Sequence, residues 1–446
     1  MGRRARRLTQ ILGFEGFTVV SEHFEDDDGN VVEPIGGFAP IAGRYLVLCV
    51  SRRWLPRCSH CFGACQKTHE RLGIKRWSDR TWGDHPVVIE YAPVRVKCPR
   101  CKSTPVELVA WADRGQHQTR RLQQYLAALC ASMPTSHVAA MHGLSWSTVA
   151  RAEESALERW SATRTKPPLR HVGVDEKWLG RRHSLTVKYV TIVSNLETGE
   201  PLWIGYGRSE STLASWLATL SIEDKRALVL FSMDMHRPFF NAVRNDADLA
   251  HVAIIHDPFH VIKRANDALD ELRRESFFRA GEARRAIGRG TRFLVFRSWE
   301  RATGEQRANL RLLFRFNSLL ARGYQIVEEL REALKAPDAE TLTLGLRRIL
   351  RRTAARRVKP LRKLHESLRN HFEEIVALGE HRPATGRTEA LNNNWENLIR
   401  RGHGYRNHGY VLLKLAFMTA NPLRTADGLK RFQALGLPTP HARAAA

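Results

Sequence analysis

Cys58-Ser59-His60-Cys61 and Cys98-Pro99-Arg100-Cys101 form two Cys-x-x-Cys pairs with 36 residues between them. Each pair is a tight knuckle presenting two thiolates to one metal, and two knuckles complete the tetrahedral four-sulfur shell that zinc accepts. That shell leaves no open position, so the expected Zn²⁺ is structural rather than catalytic. The long spacer fits a zinc ribbon in which each knuckle tops its own hairpin. Cys65, His60 and His69 stand close enough in sequence to be substitute ligands, whereas Cys49 and Cys130 read as small core residues. A redox role would need a thioredoxin-like βαβ setting, which these pairs lack.

A second chemistry comes from carboxylates at the ends of expected elements. Asp175 follows the apolar run Val172-Gly173-Val174, Asp234 follows Ala227 to Phe231, and Glu389 opens a helix in Gly386-Arg387-Thr388-Glu389-Ala390-Leu391-Asn392. A carboxylate ending a buried strand is costly unless it faces a cleft or binds a cation. In a ribonuclease-H-like sheet the first and fourth strands are neighbours, which would set Asp175 beside Asp234, with Glu389 arriving from a helix packed across that edge. Three clustered carboxylates repel one another, and hard ions such as Mg²⁺ or Mn²⁺ relieve the repulsion through oxygen ligation. Two such ions would activate a water or a 3′-hydroxyl and stabilise the leaving oxygen in an in-line phosphoryl displacement. Any one of these acids alone also fits a helix cap or a turn.

A third signal lies at Pro134 to Ala156. Thr135 to Met141 makes a short helix, His142-Gly143-Leu144 a turn, and Ser145-Trp146-Ser147-Thr148-Val149-Ala150-Arg151 the start of a second helix. With Gly in the turn and Ser145 as N-cap, this is a helix-turn-helix layout. Ser145, Trp146, Ser147, Thr148 and Arg151 would then face DNA from the recognition helix. An ordinary αα-corner has the same local pattern. Positive charge points the same way: 71 Lys and Arg against 46 Asp and Glu leave +25. Such an excess usually works against a polyanion. Ten Lys or Arg against the single acid Glu366 fall within 341–370, including Arg347, Arg348, Arg351 and Arg352. A solvated helical face is the plain alternative to a DNA-backbone surface there. Arg400, Arg401 and Arg406 add charge after Glu389, suited to phosphates.

The elements that must position these groups follow from the chain's patterning. At 446 residues and 43% hydrophobic, the chain has material for several cores and is not largely disordered. No run of eighteen apolar residues exists, and Leu8 to Val20 is broken by Thr9, Gln10, Gly13, Glu15 and Gly16, so neither a membrane span nor a signal peptide is expected. Seven cysteines with two knuckles fit a reducing interior. The first 110 residues read as short strands and turns, with strands at Tyr45 to Val50 and Val87 to Tyr91 and a solvated hairpin tip at Glu25 to Asn30. Helical spacing runs from Gln116 to about Trp160, and Lys166-Pro167-Pro168 makes a linker. Residues 171–260 alternate as β-β-β-α-β-α-β, a mixed sheet covered by helices. Residues 261 to about 380 read as almost continuous helix.

In this order, the knuckles, the helix-turn-helix, Gly173-Val174-Asp175-Glu176, Met233-Asp234-Met235, Asp257-Pro258-Phe259-His260-Val261 and Thr388-Glu389-Ala390-Leu391-Asn392-Asn393 resemble the DDE transposases of the ISL-three group of bacterial insertion sequences. The resemblance covers about residues 10–425. It implies a catalytic Asp/Asp/Glu triad at Asp175, Asp234 and Glu389 on a ribonuclease-H-like core, with a helical insertion before the glutamate. Family members often carry Arg where Pro258 stands, so a phosphate contact at that position has no counterpart here. Around the triad, Glu176 fits either a supporting acid or a surface residue. His260 fits either a group orienting DNA or water, or a packed helix-start histidine, and Trp395 fits packing.

The resulting architecture is multidomain α+β. It comprises a β-rich zinc-ribbon domain (1–112), an all-α helix-turn-helix domain (113–165), a ribonuclease-H-like α/β catalytic core (166–264), a helical Arg-rich insertion (265–380), and the second part of the core with the Glu389 helix and tail (381–446). The expected function is a transposase that binds the terminal inverted repeats of its element. It would cut and transfer strands with catalytic Mg²⁺ or Mn²⁺, acting on double-stranded DNA as a homodimer or higher assembly, in the bacterial cytoplasm at the nucleoid and not at a membrane. Two alternatives share its parts: a non-catalytic DNA-binding regulator, and a ribonuclease-H-like nuclease without strand transfer.

Overall fold

The computed structural model describes residues 3–32, 45–83, 85–165, 168–179, 188–277, 282, 290–354, 358–383, 386–402, 405 and 407–437. The chain forms two compact units, one of Met1–Thr165 with Asn397–Ala446 and one of Lys166–Glu396.

The first unit opens with helix α1 (Arg3–Leu12), which was not foreseen in a segment read as strands and turns. Leu8 and Leu12 on its inner side pack into the sheet core, and that burial outweighs the basic composition. Strands β1 (Phe17–Glu25), β2 (Val31–Val32), β3 (Tyr45–Arg52), β4 (Lys67–Arg71), β5 (Lys75–Trp82), β6 (His85–Tyr91) and β7 (Val94–Lys97) follow. Five of them form a sheet in the order β2-β1-β3-β6-β5, while β4 and β7 pair separately. The expected hairpin tip is present: the Asp26 carboxylate accepts the backbone N–H groups of Asp28 and Asn30 between β1 and β2. Trp111 is fully buried against Phe14, Phe17 and Trp77 and forms the centre of this core.

Helices α2 (Arg120–Cys130), α3 (Thr135–Met141) and α4 (Trp146–Ala162) then pack through Leu122, Leu126, Val138, Val149 and Ala152. Buried Asp79 of β5 binds Thr119, the N-cap of α2, and also Arg121, which fixes the start of this helical group on the sheet.

The second unit is built on β8 (His171–Trp178), β9 (Tyr189–Asn195), β10 (Pro201–Tyr206), α5 (Glu210–Leu217), α6 (Ile222–Ala227), β11 (Leu230–Met233), α7 (Arg237–Arg244) and β12 (Ala253–His256). The sheet order is β10-β9-β8-β11-β12. β8, β9 and β10 run antiparallel, whereas β8, β11 and β12 run parallel. All four residues of β11 are buried, as a parallel strand covered on both faces requires. Phe231 and Met233 join Leu213, Trp216 and Phe239 in one core, while Leu230 joins the helices that follow β12 in another. Ala227 belongs to α6 rather than to the expected strand. Ser221 and Asp224 form a reciprocal capping box there, a signal readable in the sequence.

The stretch expected as almost continuous helix is cut into α8 (Pro258–Phe277), α9 (Arg292–Phe296), α10 (Gly304–Phe316), α11 (Ser318–Leu334), α12 (Ala339–Thr353), α13 (Lys359–Asn370) and α14 (Phe372–His381). Side-chain N-caps at Thr303, Asn317 and Asp338 begin new helices, so the chain can fold back on itself and bury Leu269, Leu310, Val327, Leu346 and Leu364 together.

Helix α15 (Gly386–Gly402) is divided at the boundary, its residues to Glu396 in the second unit and those from Asn397 in the first, to which α16 (His408–Ala420) and α17 (Ala426–Ala434) also belong. The segment expected as 381–446 is therefore shared between the units. Phe417 and Phe432 pack on Leu157 and Trp160, and Glu153 of α4 makes a buried ion pair with Lys414. The Lys166-Pro167 part of the expected linker lies outside the described residues. Among the described residues no helix is long and apolar enough to cross a membrane.

Candidate functional site

Parallel pairing of β8 with β11 is in register from His171 and Leu230 to Val174 and Met233. The next residue in each chain segment is an aspartate, so Asp175 and Asp234 stand side by side where the two strands part. Asp234 follows the end of β11, whereas Asp175, expected to end its strand, lies inside β8, which runs on to Trp178 paired with β9. Asp175 is only 6% exposed. One of its oxygens accepts the Glu176 backbone N–H, and the other accepts the Asn392 side-chain amide at 2.6 Å. The Lys177 ammonium lies 3.8 Å from that second oxygen. Asp234 accepts the Met235 backbone N–H at 2.6 Å.

His260 stands between the two aspartates. Its Nδ1 is 3.3 Å from Asp234 Oδ2 and its Nε2 is 3.8 Å from Asp175 Oδ1. The ring is aimed by the start of α8, where Asp257 caps the helix through the Phe259 backbone N–H and Pro258 takes the first turn, the place where a missing N–H costs nothing. Burial alone would raise the Asp234 pKa. The His260 hydrogen bond and charge, the Met235 N–H and the Arg264 charge outweigh it and hold the group at about 2. Burial likewise opposes the imidazolium, yet Asp234, Asp175 and Asp257 together raise the His260 pKa above its ordinary value. Burial raises the pKa of Asp257.

Glu389 lies exposed in the first turn of α15, three residues before Asn392 and so on the same helix face. Thr388 beside it reaches β8 at Gly173, where a Cβ would lie 3.2 Å from the Thr388 hydroxyl and 2.8 Å from both Leu196 and Ser194. A glycine is therefore what lets the helix start approach the strand. Among the described residues, two clusters bring all their ligand atoms within 4.8 Å of one another: the four knuckle cysteines, and His256 with His371 and Glu374. Asp175, Asp234 and Glu389 do not form such a cluster; an imidazole and an amide occupy the contacts of the two aspartates instead. Their donor chemistry, carboxylate oxygens on neighbouring parallel strands facing a shared imidazole, nevertheless fits a hard divalent ion. Asn392 is a site residue that the carboxylate pattern alone does not mark; its spacing of three from Glu389 is the one signal for it in the sequence.

The cysteine cluster is built by two matching turns. Cys58 N–H bonds Gly63 O and Cys98 N–H bonds Ser103 O, each five residues on, with Phe62 and Lys102 in the left-handed region between. Cys61 and Cys98 sulfurs are 3.5 Å apart, and Cys58 and Cys101 sulfurs 4.0 Å. Tetrahedral zinc with Zn–S near 2.3 Å separates its sulfurs by about 3.8 Å, so the spacing fits that ion. The Cys101 backbone N–H helps lower the Cys98 pKa to about 6. Cys65 packs beside the four without being one of them: its thiol donates to Gly63 O, and burial, with the neighbouring Cys98 sulfur, pushes its pKa up to about 11.

In the helix-turn-helix, Gly143 adopts φ +59° and Ser145 caps α4 by accepting the Thr148 N–H. Ser145, Trp146, Ser147 and Arg151 are exposed, and Thr148 is half-buried. Arg347, Arg348 and Arg351 are exposed on α12, whereas Arg352 is paired with Glu329. Arg400 is exposed, and Arg401 donates to the Ala131 carbonyl at the end of α2. Arg406 lies outside the described residues. Glu176 accepts from Arg208, which also stacks on Tyr189, and Trp395 is buried.

A helix-turn-helix and a mixed-sheet core carrying an aspartate pair on neighbouring parallel strands fit a protein that binds and processes DNA. The chain belongs to the ISL3 family of transposases: residues 172–415 match the family described as Transposase, and residues 107–155 match the helix-turn-helix domain of transposase family ISL3. It is 24% identical over 414 residues to the transposase for insertion sequence element IS1001 of Bordetella parapertussis, covering 92% of this chain and 97% of that one. It is 25% identical to the transposase for insertion sequence element IS1557 of two Mycobacterium tuberculosis strains, covering 94% of this chain and 96% of theirs. Membership implies DNA binding and the use of divalent metal.

Proposed function

We propose that this transposase binds the terminal inverted repeats of its own insertion sequence and catalyses strand cleavage and strand transfer at Asp175, Asp234 and Glu389. One observation carries the reading: Asp175 within β8 and Asp234 just beyond β11 follow in-register parallel residues and share His260. The β10-β9-β8-β11-β12 order supports a ribonuclease-H-like core, in which the first and fourth strands are adjacent. The four sulfurs support a structural zinc ribbon. The domain assignment is 1–112, 113–165, 166–264, 265–380 and 381–446.

Asp175, Asp234 and Glu389 would hold Mg²⁺ or Mn²⁺, which when bound lowers the pKa of an attacking water or 3′-hydroxyl and stabilises developing phosphate charge. The residues themselves supply position. Asn392 ties α15 to Asp175, which keeps Glu389 near the strand ends, and His260 keeps the two aspartates facing one another. Water first attacks a phosphodiester at the element end and releases a 3′-hydroxyl. That hydroxyl then attacks target DNA and displaces its own leaving 3′-oxygen, with no covalent protein intermediate. Ser145, Trp146, Ser147, Thr148 and Arg151 read the repeats from α4, while Arg347, Arg348, Arg351, Arg352, Arg400 and Arg401 serve phosphates. Holding two ends together calls for a homodimer or higher assembly.

The test sequences the DNA on both sides of the gene and takes oligonucleotides from the matched inverted repeats expected there. Asp234→Ala should lower Mg²⁺-dependent cleavage and transfer by about a thousandfold or more, the scale seen when a group stabilising developing charge is lost. Binding to the same ends should stay within about twofold. Cleavage retained in Asp234→Ala would remove that residue from the site, and hydrolysis without joining in the native protein would favour a simple nuclease.

A further inference from the structure

The second cluster of metal-ligand atoms lies outside the carboxylate centre and uses none of its residues. His256 is the last residue of β12 and is 1% exposed. Its Nδ1 lies 3.3 Å from the Met233 carbonyl oxygen on β11. That oxygen can only accept, so Nδ1 carries the proton and Nε2 offers its lone pair. This is how metal-binding histidines are oriented by a partner behind the ring. Nε2 is 3.0 Å from Nδ1 of His371, the residue preceding α14. Glu374 follows three residues later, on the first turn of α14, and brings a carboxylate oxygen to the same place.

We propose that His256, His371 and Glu374 form a binding site for a borderline divalent ion, with Zn²⁺ the best fit. Two imidazole nitrogens and one carboxylate oxygen are the donor set that zinc accepts with a fourth position left for water or another ligand. The two facing nitrogens already stand close to the spacing that ligands on one ion require; about 3.3 Å follows from Zn–N bonds near 2.05 Å in a tetrahedron. The His371 proton need only move to its other ring nitrogen. An ion here pins α14, the last helix of the insertion, to the end of β12. Met233 and His256 immediately precede Asp234 and Asp257, so the pin also steadies the strand ends that carry the aspartate pair.

The test compares zinc content in full-length protein, in His371→Ala and in Glu374→Gln, all with the cysteine knuckles intact. Each is dialysed against zinc chloride, desalted and measured by mass spectrometry of the metal. Wild type should carry one zinc per chain more than His371→Ala. Glu374→Gln removes only a charge from a half-buried side chain and should hold that extra zinc about tenfold more weakly, which gives the readout even where His371→Ala folds poorly. Equal zinc in wild type and both variants overturns the site. A loss that appears only on changing cysteines would assign all bound zinc to the knuckles and overturn it equally.

Discussion

The cysteine cluster and the aspartate pair are both sites for cations, yet the protein assembles them in opposite ways. Four sulfurs sit within 4.8 Å of one another, positioned by two copies of one short turn. The aspartates are brought together by strand register across 59 positions, with the His260 ring between them and the Asn392 amide on Asp175. The difference is electrostatic. Carboxylates gathered at one site repel one another, and an imidazole shared between them offsets that repulsion. The sulfurs avoid that repulsion: the Cys101 backbone N–H favours the Cys98 thiolate, while the hydrogen bond with Cys61 raises the Cys101 pKa to about 12 and keeps that thiol protonated, so the four can be gathered before any metal arrives. A preassembled thiol site therefore stores its geometry in the backbone, whereas a carboxylate site stores it in neighbouring side chains.

The largest effect should come from breaking the backbone-built site. Replacing Cys58→Ser and Cys101→Ser together removes one sulfur from each knuckle. Zinc at the knuckles should be lost entirely, and the free energy lost with it belongs to folding. At ligand a hundredfold above Kd, that coupling alone is about 2.7 kcal/mol. The thermal transition of the first unit should fall by many degrees while that of the second is unchanged. Unaltered zinc content in this variant would sink the knuckle assignment.

A smaller effect tests how closely α15 must approach the aspartates. Gly173→Ala places a Cβ 2.8 Å from Leu196 Cδ2 and Ser194 Oγ and 3.2 Å from Thr388 Oγ1. Overpacking of this kind costs about 1–3 kcal/mol. Because Thr388 adjoins Glu389, cleavage should fall further than the stability loss alone explains. Cleavage unchanged at equal folded fraction would show that α15 need not sit this close.

What the sequence disclosed follows the same division between local and distant construction. The knuckles were legible because their ligands lie three residues apart, and the helix-turn-helix because Gly143 and Ser145 mark its turn and cap in five residues. Asp175 and Asp234 were legible as polar ends of apolar runs. Asn392 and the bridging position of His260 were not, because register and helix docking create those contacts between residues far apart in the chain. His256, His371 and Glu374 were hidden for the same reason, with 115 positions separating the two rings. The breaks in the insertion were a different omission: Thr303, Asn317 and Asp338 announced them, but the apolar spacing of the stretch was read without its caps. Leu8 and Leu12 of α1 likewise became a packed face only once the sheet was there to receive them.

The smallest effect is the one that most sharply separates the two kinds of site, because only the carboxylate pair depends on a titrating neighbour. In magnesium-free buffer the folded pKa of His260 is raised above 6.5. Its contribution to stability is therefore complete below 6.5 and is lost as pH rises through the folded value. Asp234 runs the other way. Its folded pKa of about 2 lies below the ordinary 3.8, so its contribution is present above 3.8 and is lost as pH falls toward 2. Both are complete only between these limits, and the scale of the Asp234 contribution is about 2 kcal/mol. Thermal melts of the second unit should therefore show an alkaline decline in wild type that His260→Gln lacks. Magnesium chloride should flatten the same decline in wild type, because the ion and the imidazolium compete for the same two carboxylates. An identical alkaline limb in His260→Gln would mean that the aspartates are held apart by Asn392 and backbone N–H groups alone, and the charge between them would then be incidental.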